Sequence, residues 1–341
     1  MISRRRAIHI LGAAAGSALL PRGAAAASAA QWQRWDGEVL GASSKIELLG
    51  SDKKTSRALV DKCLSEARRL EGLFSLHTEY SDIARLNAQG FLDHPDADFL
   101  ALLQISNNIH SQTVGAFDIS VQPLWRVYGD HFLSNGRRKT SAIPKGPSRD
   151  KIESALRLVD QSAIKVAPDR IEFSRPGMAI TLNGIAQGYI TDRICDLLRN
   201  EGIDRVFVDM GEPRALGHNK SGEPWQVGLV NPRRIFDLAG LLELEDMALA
   251  TSGAYGLEFD KSGRFHHILD PKSGLSTVKN LAVSVTARNA AMADGLSTAF
   301  SGMAVSEVRN VVASHADVGA IITALDGQQI KIGTLPKMLM Q

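Results

Sequence analysis

Apolar residues along this chain change their spacing several times, and each change marks an element. Leu59, Val60, Cys63, Leu64, Ala67, Leu70 and Phe74 recur at helical spacing, after a plausible strand over 45–49. Phe99, Leu100, Leu103, Ile105 and Ile109 predict a second helix over 97–112. Gly, Pro, Ser and basic residues crowd 129–149, which reads as a long surface loop and as the seam between two closely joined subdomains. Beyond 150, short apolar runs alternate with turn signals. Residues 164–166 and 171–173 form a hairpin around Pro168-Asp169, and a strand over 178–182 feeds a helix over 185–200. Further strands are predicted at 205–210, 225–230, 239–244, 247–251, 264–269 and 281–287. Helices follow at 290–302 and 304–314, and strands at 318–323 and 328–332 close the chain. This irregular mixture predicts an α/β (α+β) fold with mixed, mostly antiparallel sheets and packed helices.

The first thirty residues stand apart. Ser3-Arg4-Arg5-Arg6 precedes a weakly apolar stretch from Ala7 to Leu20, and small residues run from Ala24 to Ala30. A basic start, a short apolar core and small residues before a cut describe a secretory signal. The paired arginines match the twin-arginine type, which exports folded proteins. The plainer reading is a basic, Ala-rich tail. The expectation is a mature chain of 31–341, periplasmic, with no cysteine near the cut to carry a lipid.

Composition narrows the classes. Of 341 residues, 44% are hydrophobic and 22% charged, enough for one large domain or two joined ones. A formal charge of +2 gives no nucleic-acid footprint. No apolar run after residue 30 approaches the length of a bilayer span. Cys63 and Cys195 are the only cysteines; they form no CxxC or metal-ligand spacing and are expected as two separate buried thiols, with a disulfide between them as the alternative in an oxidising compartment.

Familiar signatures are missing. No GxGxxG follows a strand, and neither GxSxG nor HExxH occurs. Gly217 to Glu223 imitates a P-loop, but Glu223 and Pro224 stand where Lys and Ser or Thr are required. Three polar clusters remain. In Thr181-Leu182-Asn183-Gly184-Ile185-Ala186-Gln187-Gly188-Tyr189 a strand passes into a helix, and two glycines would admit a ligand to the backbone. A well-packed tight turn explains it equally well. In Asp294-Gly295-Leu296-Ser297-Thr298 the carboxylate and hydroxyl share a helix face, and hard oxygens of this kind suit Mg²⁺. A solvated carboxylate is the plainer account. In the third cluster, Thr251-Ser252-Gly253 precedes His266-His267-Ile268-Leu269-Asp270-Pro271, where strand alternation lets only one His face a given site.

Taken in order, these segments resemble the ApbE family of FAD:protein FMN transferases, over essentially the whole mature chain. The stretches that carry the resemblance are Ser81-Asp82-Ile83-Ala84-Arg85-Leu86-Asn87, Gly115-Ala116-Phe117-Asp118-Ile119-Ser120, Asn183-Gly184-Ile185-Ala186-Gln187-Gly188, Thr251-Ser252-Gly253, His267-Ile268-Leu269-Asp270-Pro271 and Ala293-Asp294-Gly295-Leu296-Ser297-Thr298. The resemblance implies an ApbE-like fold and Mg²⁺ held by Asp294, Thr298 and the carbonyl of Gly184. It implies FAD as substrate, with contacts at Ala116, Phe117, Asp118, Thr181, Gln187 and the Thr251, Ser252, Gly253 turn. The acceptor it implies is a Thr or Ser of a membrane or periplasmic flavoprotein.

The chain also departs from the family. Leu40 stands where Met is usual, His77 where Tyr, Thr181 where Asp, Asn183 where Gly, and Gln187 where Lys is frequent. Several of these positions would touch the flavin or adenine half. Losing one Asp and one Lys together removes opposite charges, as a co-adapted site would. The variant resembles the NosX-type branch, linked to flavinylation in nitrous-oxide respiration. The chemistry implied is phosphoryl transfer with release of AMP, and His267 is the candidate general base. Two rival readings are a periplasmic FAD pyrophosphatase and a flavin-binding carrier without turnover.

Overall fold

A computed structural model of the chain describes residues 31–39, 41–50, 52–132, 145–277 and 279–339. It opens with an antiparallel pair, β1 (Gln31–Val39) and β2 (Ala42–Gly50). α1 (Lys53–Phe74) begins at Asp52, whose carboxylate accepts the amides of Lys54 and Thr55. α2 (Asp82–Gln89) begins at Ser81, whose hydroxyl accepts the Ala84 amide, and ends at Gly90 with φ 82°, the left-handed conformation glycine tolerates. Then come β3 (Phe91–Asp93), α3 (Ala97–Gln112), α4 (Gln122–Phe132), α5 (Arg149–Leu156), β4 (Ile164–Val166) and β5 (Arg170–Phe173). α6 (Ala186–Asn200) leads into β6 (Val206–Asp209), β7 (Pro213–Leu216), β8 (Trp225–Asn231), β9 (Arg234–Leu244) and β10 (Met247–Gly253). The chain closes with β11 (Asn280–Ala287), α7 (Ala290–Ser301), α8 (Val305–Ala313), β12 (Gly319–Ala324), β13 (Gln329–Gly333) and β14 (Met338–Leu339).

Eight strands form the main sheet in the order β1-β2-β6-β7-β10-β11-β12-β13. Every pairing in it is antiparallel, as are those of the two small sheets, β14-β9-β8 and β3-β5-β4. Strand alternation sends neighbours to opposite faces. Val206 and Val208 join the core under the helices, while Phe207 between them packs with Trp225, Leu242 and Leu249 beneath the β8-β9 sheet. Both faces of β6 are therefore covered, which is why it shows no polar alternation. A third, smaller core of Leu124, Tyr128, Ile152, Phe259 and Leu269 joins α4 and α5 to the irregular stretch before β11.

α7 is made almost entirely of small and apolar residues, and nearly all of it is buried. A helix apolar on all sides must be enclosed, and α7 lies between β10, β11, α3 and α6. Asp294 is its only charged residue.

Two predicted strands are absent. Residues 178–182 form no strand, and none of the described strands pairs with them. The Asn87 side chain donates to the Ile180 carbonyl at 2.8 Å and accepts its amide at 2.7 Å, and the Thr181 amide goes to Ile119. Residues 264–269 carry only isolated bridges, because the Ser276 hydroxyl takes both the amide and the carbonyl of His266. The loop expected over 129–149 is shorter at both ends, since α4 runs to Phe132 and α5 starts at Arg149. Residues 133–144, and the signal over 1–30, lie outside the described residues. Both cysteines are buried, free thiols, and no described helix is long and apolar enough to cross a membrane.

Candidate functional site

The three expected metal ligands meet where the start of α6 packs on α7. Asp294 Oδ2 accepts the Gly188 amide at 3.1 Å, and Thr298 Oγ1 stands 3.5 Å from the Gly184 carbonyl oxygen. The two glycines make this approach possible. A Cβ on Gly188 would lie 2.3 Å from the Ala290 carbonyl oxygen, and one on Gly184 would lie 2.9 Å from Thr298 Oγ1. Both therefore serve packing of the turn against α7, and Gly184 keeps its carbonyl beside Thr298. Ser252, at the end of β10, adds a third hydroxyl. Its Oγ lies 2.8 Å from Ser297 Oγ and 3.3 Å from Thr298 Oγ1. Ser297 already donates to the Asp294 carbonyl, so Ser252 is the donor to Ser297.

The electrostatics of this corner are unusual for a protein interior. Burial pushes the Asp294 carboxyl up to about 7, with repulsion from Asp192 adding to it and the Gly188 amide opposing. Burial pushes Asp209, at the end of β6, up to about 6. Glu212 rises well above the ordinary carboxylate range through burial, then through repulsion from Asp294 and Asp209; it accepts the Thr251 amide at 3.3 Å. Asp192 is answered differently, by the Arg214 guanidinium at 2.7 Å. A buried carboxylate, a hydroxyl and a carbonyl, with further acid nearby and, among the described residues, no guanidinium on Asp294, suit a hard divalent cation such as Mg²⁺. Among the described residues no three His, Cys, Asp or Glu side chains surround a common metal position. The candidate set draws only its one carboxylate from those types.

Glu212 and Asp192 were not picked out in the sequence. Glu212 had one signal, an acid just past a strand that ends in Asp209. Asp192 had none, being an ordinary polar position on a predicted helix.

His266 and His267 separate cleanly, though not by strand alternation. His266 is buried; Nε2 donates to the Thr277 carbonyl at 2.6 Å and Nδ1 accepts the Ile268 amide at 3.3 Å. Burial also holds its pKa below the usual value, so the ring is neutral and both nitrogens are engaged. His267 is half-buried. A carbonyl can only accept, so its Nδ1–H donates to Leu257 O at 3.1 Å, which leaves Nε2 as the nitrogen that carries the lone pair whenever the ring is neutral.

The remaining site residues occupy several surroundings. Asp118 caps a short 3-10 turn by accepting the Ser120 amide at 2.7 Å, and burial raises its pKa against that bond and the Ser120 hydroxyl. The Phe117 side chain lies in the core, so what it offers a ligand is backbone; Ala116 is half-buried beside it. Thr181 Oγ1 accepts the Asn183 amide at 3.2 Å. The Gln187 side chain lies over Gly211, where φ is 113° and a Cβ would approach it to 2.7 Å. Thr251 Oγ1 pairs with Ser284 Oγ at 2.8 Å, and a Cβ on Gly253 would strike the Tyr255 ring at 2.3 Å. His77 is exposed in the turn after α1, its amide donating to Ser75 Oγ at 3.2 Å. Leu40 lies outside the described residues.

The profile of the ApbE family matches residues 40–322. A FAD:protein FMN transferase of Haemophilus influenzae is 27% identical over 274 residues, 77% of this chain and 78% of that protein. One of Vibrio cholerae is 28% identical over 278 residues, 76% of this chain and 79% of that one. Among solved structures, the ApbE protein of Thermotoga maritima superposes with a TM-score of 0.76 at 28% identity, covering 89% of this chain and 97% of that one. The flavin transferase ApbE from Vibrio cholerae gives 0.73 at 23% identity over the same 89% and 97%, a likeness of fold.

Proposed function

The chain belongs to the ApbE family, and from that membership we propose that it uses Mg²⁺ to move FMN from FAD onto a Thr or Ser hydroxyl of a periplasmic or membrane flavoprotein. It is a flavin transferase, of the kind its relatives are named for. What supports Mg²⁺-dependent transfer is the convergence of Gly184, Asp294 and Thr298 on one turn, with a buried carboxylate that has no guanidinium partner among the described residues.

In the transfer, the acceptor oxygen forms a bond to the FMN phosphorus. The bond from that phosphorus to the bridging oxygen breaks, and AMP leaves with the electron pair. The proton of the acceptor hydroxyl passes to Nε2 of His267, whose Nδ1–H on the Leu257 carbonyl fixes the tautomer that can receive it. Asp294, Thr298 and the Gly184 carbonyl would hold the cation, and the hydroxyls of Ser252 and Ser297 keep Thr298 and the Asp294 backbone in place. When bound, Mg²⁺ supplies neutralisation of the pyrophosphate charge. Export through residues 1–30 to the periplasm, where such acceptors would be met, belongs to the same proposal; its support is the sequence alone.

The test is a mass spectrum of a candidate acceptor after incubation with the protein, FAD and Mg²⁺. A gain of one FMN on a Thr or Ser with release of AMP is the expected result. AMP with free FMN and an unmodified acceptor would make it a pyrophosphatase, and no AMP at all would make it a carrier.

A further inference from the structure

A cleft of about 430 Å³ opens between the end of α3, one face of α8 and the turn that follows His267. Ala116, Met303 and Val311 give it apolar walls, and Lys272, Lys279, Asp270 and Glu307 give it a charged border. It adjoins the site along three stretches of chain. Asp270 is three residues beyond His267, Ala116 precedes Phe117 and Asp118, and Gly302 ends α7 about one helical turn past Thr298.

Two features of the cleft are left over by flavin chemistry. The first is Val114, which lines it with φ 51° and is 76% exposed. A β-branched residue is strained in that region of backbone space. The turn is nevertheless held closed, with the Gly115 amide on His110 O at 2.8 Å and the Ala116 amide on Thr113 O at 3.0 Å. The surrounding bonds thus keep an apolar side chain in water at the cleft, and strain maintained in this way points to use.

The second feature is the state of the charges. Asp270 accepts the Lys272 amide at 2.8 Å and Glu307 accepts the Ala304 amide at 2.6 Å, so both carboxylates are engaged within their own turns. Lys272 and Lys279 are exposed, and among the described residues neither ammonium group has an ion-pair partner. An extended polypeptide suits apolar walls with a mixed polar border, and acidic side chains on it would meet the two lysines.

Resting on the FMN-transfer reading, we propose that this cleft docks an acidic segment of the acceptor protein beside the hydroxyl that receives FMN. The probes are short fluorescent peptides, each with one Thr, made in pairs that differ only in carrying Asp or Asn. Their binding to the FAD-loaded protein is followed by anisotropy, with FAD binding followed separately by flavin fluorescence. The Asp peptides should bind about tenfold more tightly than their Asn partners. Lys272→Glu with Lys279→Glu should erase that difference, and Val114→Gly should weaken both peptides, all with FAD binding unchanged. Equal affinity for Asp and Asn peptides, or binding by neither, overturns the proposal. Loss of FAD affinity in the charge-reversed protein also overturns it and gives the cleft to the nucleotide. Failure of FMN transfer itself would show instead in the acceptor mass spectrum, whatever the peptides do.

Discussion

Asp192 and Asp294 cap each other's helices. Asp192 on α6 accepts the amides of Ala290 and Ala291, the first two of α7, at 2.8 and 2.9 Å. Asp294 on α7 accepts the amide of Gly188 in the first turn of α6 at 3.1 Å. Helix starts carry unsatisfied N–H groups and partial positive charge, so each carboxylate stabilises the other's helix. The symmetry ends at the next neighbour, because Asp192 has Arg214 and, among the described residues, Asp294 has no guanidinium.

That difference should separate the two acids. Asp192→Ala leaves Arg214 buried without its main partner and should lower stability by about 3–5 kcal/mol in urea unfolding. Asp294→Ala should abolish Mg²⁺-dependent transfer and cost much less stability, since the carboxylate is already disfavoured by burial. Mg²⁺ should raise the Tm of the native protein and leave that of Asp294→Ala unmoved, with Thr298→Val in between. An equal Mg²⁺ shift in Asp294→Ala rules out the cation site.

The two histidines should fail in different assays. His267→Gln should cut transfer by about 10²- to 10⁴-fold while FAD still binds. His266→Ala removes a buried ring with both nitrogens bonded, so it should cost about 1–3 kcal/mol of stability and leave turnover per folded molecule near normal. Kinetics normalised to the folded fraction decide this, and the reverse pattern would move the general base to His266.

Glycine substitutions should also divide. Gly188→Ala drives a methyl against the backbone of α7, which cannot retreat, and should cost at least about 1–3 kcal/mol. Gly184→Ala meets only the Thr298 side chain, so its main effect should be weaker Mg²⁺ activation rather than lower Tm. Equal Tm losses in the two variants would contradict this.

Asp209 gives a pH dependence. Its pKa rises from 3.8 unfolded to about 6 folded, so the folded state favours the protonated form. The penalty for ionising it is full above pH 6 and gone below about pH 4, so this group makes the protein more stable as pH falls through that window. About two units correspond to roughly 1–3 kcal/mol. Asp209→Asn should gain that much on the native protein at pH 7.5 and little at pH 4.5, measured by denaturant unfolding with chelator present. Parallel curves for the two proteins would refute it.

Export should need the guanidinium pair. Replacing Arg4 and Arg5 with Lys keeps the charge and should leave the protein in the cytoplasm, as read by fractionation. Normal periplasmic levels would exclude the twin-arginine route.

Elements that depend on their own period were legible. α3 falls on 97–112 as its spacing predicts, and the buried α7 differs from its predicted span by one residue at the C-terminal end. The segments at 178–182 and 264–269 were misread because apolar spacing cannot distinguish a strand from a stretch held by side chains. Asn87 and Ser276 do that holding, from 93 and 10 residues away. The small-residue clusters did mark the junction of α6 and α7. Asp192 and Glu212 stayed hidden because their importance lies in whose amides they meet, 98 and 39 residues along the chain.

Asn87 leaves the protein with an uneven tolerance to inherited change. A strand held by a neighbouring strand is held by backbone atoms, which survive nearly every coding substitution. Residues 178–182, which lead into the Gly184 turn, donate backbone bonds to the described residues only from the Met178 and Thr181 amides, and Ile180 between them rests on one side-chain amide that both donates and accepts. Asp at that position would set a carboxylate against the Ile180 carbonyl, and Ser would not reach both groups. A single codon more than 90 residues upstream therefore governs the geometry of that approach.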